Sequence, residues 1–358
     1  MKKRIALLLG LVLTVSSLAA GCGEAKDAGQ NTGAANNQAV AGTESQTAGN
    51  GTVVAEGGLK TGLALSTSLS NSKDAAADAE GLVQANVTIA AVTVDADGKI
   101  VECMIDGTEA AVNFGTDGKI TSDLAKEFVG KQELGTDYGM GEASPIGKEW
   151  NEQADGFAAY CVGKTADEVL GIAVSEAGIA TDEELLASCT IRIGGLQAIV
   201  AKAVNNAADM GAQAGDKLGL GVTANINQST DGTAVPYTTA TALTVNGEGK
   251  ITSATIDAVQ PRVTFDAAGK ITSDIAAQVP SKNELGDAFG MKVASSIGKE
   301  WNEQAAAFAQ YAVGKTVDEV NGIALTEGVP SDADLAASVT IHVGDFNTAI
   351  TKAVDNAK

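Results

Sequence analysis

Histidine is nearly absent from this chain: His342 is the only one in 358 residues. A histidine triad or a His-rich metal centre therefore cannot occur in both copies of the internal repeat described below. The position matching His342 in the first copy is Arg192, so His342 reads as a solvated strand position. Aromatic residues make up only 4%. Any core is then built from Ala, Val, Ile and Leu, and an apolar content of 44% is enough to form one. Cations are scarce as well, 24 against 45 acidic residues, which leaves a net charge of -21. Such a surface repels phosphate backbones and excludes nucleic-acid binding. Cysteine is used sparingly. Cys103, Cys161 and Cys189 match Ala254, Ala312 and Val339 in the second copy. A disulfide or thiolate metal site would need its partners retained, and three thiols leave one over, so these residues read as small buried hydrophobes.

What is present begins with an export signal. Lys2, Lys3 and Arg4 precede an apolar run from Ile5 to Val15, too short to span a bilayer and therefore a signal peptide. Leu18-Ala19-Ala20-Gly21-Cys22 then resembles the lipobox of bacterial lipoproteins, with the usual leucine one place early. Residues 1–22 are expected to direct lipid attachment at Cys22. Two or three acyl chains there would anchor the protein firmly in the bilayer. Residues 23–56 are rich in Gly, Ala, Asn, Gln, Thr and Ser and read as a flexible tether, spanning roughly 30 Å on average.

The rest of the chain is duplicated. Ile146 to Ala154 (Ile-Gly-Lys-Glu-Trp-Asn-Glu-Gln-Ala) recurs unchanged from Ile297 to Ala305, an offset of 151 that also aligns Gly118 with Gly269 and Met140 with Met291. That period is too long for a solenoid. It implies two whole α+β domains, 57–208 and 212–358. In each, two hairpins are expected. In the first copy, Val87 to Val94 and Lys99 to Ile105 flank Asp97-Gly98, and Ala111 to Phe114 and Lys119 to Ser122 flank Asp117-Gly118. A helix should start near Gly147, with Trp150, Ala154, Phe157 and Cys161 on its apolar face. Thr165 to Glu168 and Thr316 to Glu319 match a capping box. A strand starting near Thr190 and a final helix after Gly194 complete the pattern, with antiparallel strands and segregated helices.

Candidate chemistry lies where both copies agree. Glu184 stands six places before Thr190, and Asp334 six places before Thr340; each threonine is followed by isoleucine and then by the final helix. These residues resemble FMN-binding-domain proteins whose threonine carries FMN through a phosphoester. That family has Ser/Thr-Gly-Ala just ahead of the threonine. Here those places hold Ala187, Ser188 and Cys189, or Ala337, Ser338 and Val339. From the residues alone, Thr190 and Thr340 are better read as β-branched strand starts, and Glu184 as a helix-start cap. A helix N-terminus after Gly194 or Gly344 would supply phosphate donors.

The second constellation is aromatic: Tyr138-Gly139-Met140 with Trp150, and Phe289-Gly290-Met291 with Trp301. It offers a flat apolar partner for an isoalloxazine ring, or simply a core anchor for each helix. Lys148, Glu149 and Glu152 sit on the same segment, but nothing in sequence places two carboxylates across a cleft as a hydrolase requires.

Used twice behind a lipobox, the whole pattern resembles the FMN-binding lipoproteins of extracellular electron transfer in Gram-positive bacteria. The resemblance implies two FMN per chain, covalently attached by a flavin transferase. It implies location on the extracellular face of the cell membrane. It also implies a membrane quinone or NADH dehydrogenase system as donor, and soluble flavin or ferric iron as acceptor. Should only one site load, the acidic residue favours Thr340. The reading from a different class is a non-redox binding or adhesion lipoprotein, in which duplication serves avidity.

Overall fold

The computed structural model describes residues 58–357. The signal peptide, Cys22 and the tether lie outside the described residues. The first copy runs β1 (Gly58–Ser68), β2 (Gly81–Val94), β3 (Ile100–Phe114), β4 (Glu127–Phe128), α1 (Lys131–Leu134), α2 (Trp150–Cys161), α3 (Ala166–Leu170), α4 (Glu183–Leu186) and α5 (Gly194–Asn205). β5 (Ala208–Gln213) leads into the second copy, whose strands are β6 (Lys217–Asn225), β7 (Thr233–Ala234), β8 (Tyr237–Val245), β9 (Ile251–Val259) and β10 (Val263–Thr264). There follow α6 (Lys282–Leu285), α7 (Trp301–Ala312), α8 (Val317–Asn321), β11 (Leu325–Thr326), β12 (Val329–Pro330), α9 (Ala333–Ala336) and α10 (Gly344–Asn356). The protein is mixed α+β with antiparallel sheets.

Two of the expected strands differ. The Asp97-Gly98 hairpin is present, with Gly98 at φ +77° and Val94 facing Ile100. The expected second hairpin is not a separate one. Ala111 to Phe114 is the end of β3, still paired with β2 out to Gly81 opposite Phe114, and only Ile120 bridges back to Phe114. β3 continues because Ala110, Val112 and Phe114 keep alternating into a core. No strand starts at Thr190. A single bridge joins Ile179 to Arg192, and the backbone of Thr190 is bonded to a side chain instead.

The sheets, ordered β3-β2-β1-β5 and β4-β6-β8-β9, face each other. Leu65, Val87 and Ile89 from one meet Leu220, Val222 and Ala240 from the other in an inner core. Helices cover both outer faces. Phe157 and Ile199 pack on Val92 and Ile100; Trp301, Phe308 and Phe346 pack on Leu243 and Ile251. Strands covered on both faces become apolar throughout, and all nine residues of β8 are buried.

The copies are interlocked about a pseudo-twofold axis. Phe114 stacks on its own counterpart Phe265 at 3.9 Å. Phe128 of the first copy pairs with Ala224 on β6, while Val279, at the matching position, bridges Thr67 on β1. Lys352 bonds Glu133 at 2.6 Å and Lys202 bonds Glu284 at 2.8 Å, again a symmetric pair. This is the self-complementary arrangement of a twofold dimer, here within one chain. The boundaries 57–208 and 212–358 mark a duplication of sequence. Among the described residues the two copies share one inner core, which needs a sheet from each.

Candidate functional site

The Trp-Asn-Glu-Gln motif makes a connection that its sequence did not announce. Gln153 is fully buried on α2, and its Oε1 accepts from the Thr190 N–H at 2.8 Å and from Thr190 Oγ1 at 3.1 Å. Its Nε2 donates to Ser144 Oγ at 3.0 Å and to the Lys148 carbonyl at 2.9 Å. Gln304 repeats this with Thr340 at 2.9 and 3.2 Å, Ser295 at 3.3 Å and the Lys299 carbonyl at 3.1 Å, and adds the Met291 sulfur at 3.7 Å. One glutamine thus ties the threonine segment to the aromatic loop in each copy. Gln304→Leu would leave the half-buried Thr340 N–H and the Lys299 carbonyl without this partner, and is expected to lower stability by about 1–3 kcal/mol in urea unfolding.

The loop is held from its other side by Glu149 and Glu300. Glu149 accepts from the Met140 and Gly141 N–H groups at 2.7 and 2.8 Å; Glu300 accepts from Met291 and Lys292 at 2.8 and 2.9 Å. Each also forms a capping box with Glu152 or Glu303. These glutamates are helix caps and loop clamps rather than solvent-facing charges on the helix. Gly139 and Gly290 sit at φ +75° and +78°, so glycine there is required by the turn.

The two threonines lead into the final helices. α5 starts at Gly194 and α10 at Gly344, and no side chain caps either end. A Cβ added at Gly194, Gly195 or Gly344 would meet nothing within 4 Å, and all three glycines are exposed, so both helix starts lie at the surface. The copies differ in one respect. The residue after Gly344 is Asp345, half-buried beside Asn225, where the first copy has Gly195. Glu184 and Asp334 are exposed and do not cap; Asp182 and Asp332 do, accepting from Leu185 at 3.0 Å and from Asp334 at 3.1 Å. Ser188 bonds the Leu185 carbonyl at 3.1 Å, a helix-end contact, and Ser338 is half-buried at the matching place.

Between the aromatic residues sits a lysine that sequence reasoning passed over. Lys131 Nζ lies 4.5 Å from the Tyr138 ring and 5.1 Å from the Trp150 ring, bonds the Tyr138 hydroxyl at 2.8 Å and pairs with Glu109 at 2.6 Å. Burial pulls its pKa down, but Glu109 and Tyr138 outweigh that and hold it above the usual lysine value. Lys282 occupies the same place, with Tyr237, Phe289 and Trp301 rings at 4.5, 4.7 and 4.8 Å. Its counterpart of Glu109 is Gln260, and its polar contact is the Tyr237 hydroxyl at 3.3 Å. Burial here wins: the amine is driven down to about 7, with Asp257 and Asp345 opposing and Arg262 assisting.

Both lysines are aimed by a buried aspartate. Asp106 Oδ1 accepts from the Gln132 N–H at 3.0 Å, and Asp257 Oδ1 from the Asn283 N–H at 3.0 Å, fixing the starts of α1 and α6. The signal available was an acid at the same place in an apolar strand of both copies.

No protein-family model, curated protein or solved structure matches this chain. The sequence-derived residues thus fall into two groups joined by Gln153 or Gln304. Thr190 and Thr340 adjoin open helix starts, and Tyr138, Trp150, Phe289 and Met291 surround the aromatic loop with Met140. Trp301 is only 3% exposed and packs edge-on against Phe346 at 5.6 Å, so in the second copy it anchors the core. Trp150 remains half-buried. Among the described residues the three cysteines are free, with Cys161 and Cys189 buried and Cys103 half-buried, and burial pushes the Cys161 thiol up to about 12.

Proposed function

We propose that this protein is an exported lipoprotein, anchored through Cys22, that carries FMN and relays electrons from a membrane quinone or NADH dehydrogenase system to extracellular acceptors such as soluble flavin or ferric iron. The observation that supports it best is the threonine held by a buried glutamine directly ahead of a glycine-started, uncapped helix, repeated in both copies. A phosphoester at either threonine would find backbone N–H donors and the positive end of a helix dipole. FMN supplies the redox chemistry when bound. The chain's residues hold the phosphate end, fix the aromatic loop and shape the surrounding charge.

The two copies are not equivalent in this reading. Asp345 puts a carboxylate in the first turn of α10, where a phosphate would be repelled. Gly194-Gly195 offers no such charge, and Trp150 is the more accessible platform. Thr190 is therefore the stronger site, the reverse of the order drawn from the acidic residue alone.

Intact mass of the mature chain, made with and without a flavin transferase, tests the reading. The expected gain is one or two FMN units, each less a water, with a flavin absorption spectrum. Thr190→Ala removes the larger share and Thr340→Ala the smaller. No gain, no colour and no uptake of added FMN would replace the proposal with a non-redox binding or adhesion module.

A further inference from the structure

The second copy holds a cavity of about 280 Å³ that involves neither threonine, lined by Lys282, Phe289, Arg262, Pro261, Pro280 and Leu285 among others. Its origin is visible in the chain. β3 runs unbroken to Phe114, whereas β9 stops at Val259, and Pro261, which has no N–H to continue a ladder, follows at the position of Ala110. The space opened there exposes the cage lysine's surroundings. None of the ion pairs among the described residues includes Lys282 or Arg262. Asp274, also on the lining, accepts from the Ala276 N–H at 2.9 Å.

We infer that this cavity is a site for a small 2-oxo acid or aldehyde acid, whose carbonyl carbon is taken by the Lys282 amine as an imine and whose carboxylate is taken by Arg262. The cavity lies at or below the lower end of the range for drug-sized ligands, which limits the occupant to a small molecule. Arg262 is exposed and offers a forked donor set matched to a carboxylate. Lys282 is buried among three rings with no carboxylate bonded to it, next to a second cation, the setting that makes a lysine a nucleophile rather than a fixed charge. Its pKa near 7 supports this, whereas Lys131, paired with Glu109, stays protonated.

The step is balanced without a redox partner. The amine lone pair attacks the carbonyl carbon and the C=O π bond breaks onto oxygen. Two proton transfers move the amine protons to that oxygen, water leaves and the C=N bond forms. The inference does not depend on flavin.

The test treats the mature chain at pH 7.5 with glyoxylate and sodium cyanoborohydride, which reduces an imine to a stable secondary amine, and maps the modified lysine by peptide mass. Acetaldehyde serves as the uncharged comparison. Lys282 is expected to be marked at least tenfold faster than Lys131, and Lys282→Met removes that mark. Arg262→Gln lowers the glyoxylate rate about tenfold more than the acetaldehyde rate, the scale of one charge-assisted bond; the acetaldehyde rate falls only by what the lost neighbouring cation did for the Lys282 amine. Marking of surface lysines with Lys282 untouched would overturn the imine. An unchanged glyoxylate-to-acetaldehyde ratio in Arg262→Gln would overturn the acid specificity. Site mapping and the Arg262 variant decide the matter even should Lys282→Met fold poorly.

Discussion

Gly221→Ala lowers the unfolding free energy by more than about 3 kcal/mol, an effect out of proportion to one methyl group. The reason is the seating of α10 on the second sheet. A Cβ at Gly221 would stand 1.9 Å from the Ala349 carbonyl oxygen, and one at Gly219 would stand 1.9 Å from that of Ala353. Both obstacles are helix backbone, which has no rotamer to yield. The helix must lift, and it carries Phe346, Ile350 and Ala353 out of the outer core with it. The first copy has the same device: a Cβ at Gly62 would meet the Ala203 carbonyl oxygen of α5 at 2.1 Å. Gly247→Ala is the control, in a turn where nothing lies within 4 Å and φ is not positive. It is expected to change stability by no more than about 0.5 kcal/mol. Urea unfolding of the two variants beside the parent protein measures both. Equal stability would mean that α10 is not seated as closely as described. Because Phe346 packs edge-on to Trp301, the same lift would loosen the Lys282 cage, so Gly221→Ala should also slow glyoxylate trapping.

The duplication and the mixed α+β class were legible because the repeated nonapeptide and the Asp-Gly turn announce them directly. The sandwich was not. β1 and β6 interleave Gly and Thr with apolar residues, and no strand was expected at either. Thr61 is nonetheless fully buried, its hydroxyl satisfied by Ser253 at 2.6 Å across the two copies. A buried hydroxyl with a partner from another part of the chain leaves no local pattern. The same holds at the site. Thr190 and Thr340 were found because the residues around them are repeated. Gln153 and Gln304 sat inside the quoted motif unremarked, since a helical glutamine normally faces water. Lys131 and Lys282 drew no reading, because the rings that cage them come together only in the fold. Glu149 was placed on the Trp150 segment without its role as the helix cap, since a cap is defined by what the side chain reaches back to. What periodicity encodes was recoverable; what depends on tertiary juxtaposition was not.

Asp257→Asn raises stability at pH 8 and leaves it unchanged at pH 4. Asp106 and Asp257 are each raised by burial from 3.8 to about 6, although backbone N–H groups donate to both. Over that interval the native protein holds protons that the unfolded chain has released, so unfolding free energy falls as pH rises. The contribution of these groups is fully present below the ordinary aspartate range and is lost once pH passes about 6. At 1.36 kcal/mol per unit, each aspartate accounts for on the order of 2–3 kcal/mol. Asparagine keeps an oxygen to accept from the Ala258 and Asn283 N–H groups, at 2.8 and 3.0 Å from Oδ1 in the parent, and removes the buried charge. Unfolding titrations from pH 4 to 8 should therefore show stability declining less in Asp257→Asn than in the parent, and less again in the double variant with Asp106→Asn. A variant less stable than the parent at pH 8 would show that the ionised carboxylate's bonds to α6 outweigh its desolvation. Lys282 acts in the opposite sense at higher pH. Its contribution is present above the ordinary lysine range and is lost as pH falls through about 7. Asp257 and Lys282 thus both resist charging in the fold, and the combined contribution of these groups is smallest near neutral pH. That is the strain expected where a buried amine is kept reactive, and removing either charge should relieve it.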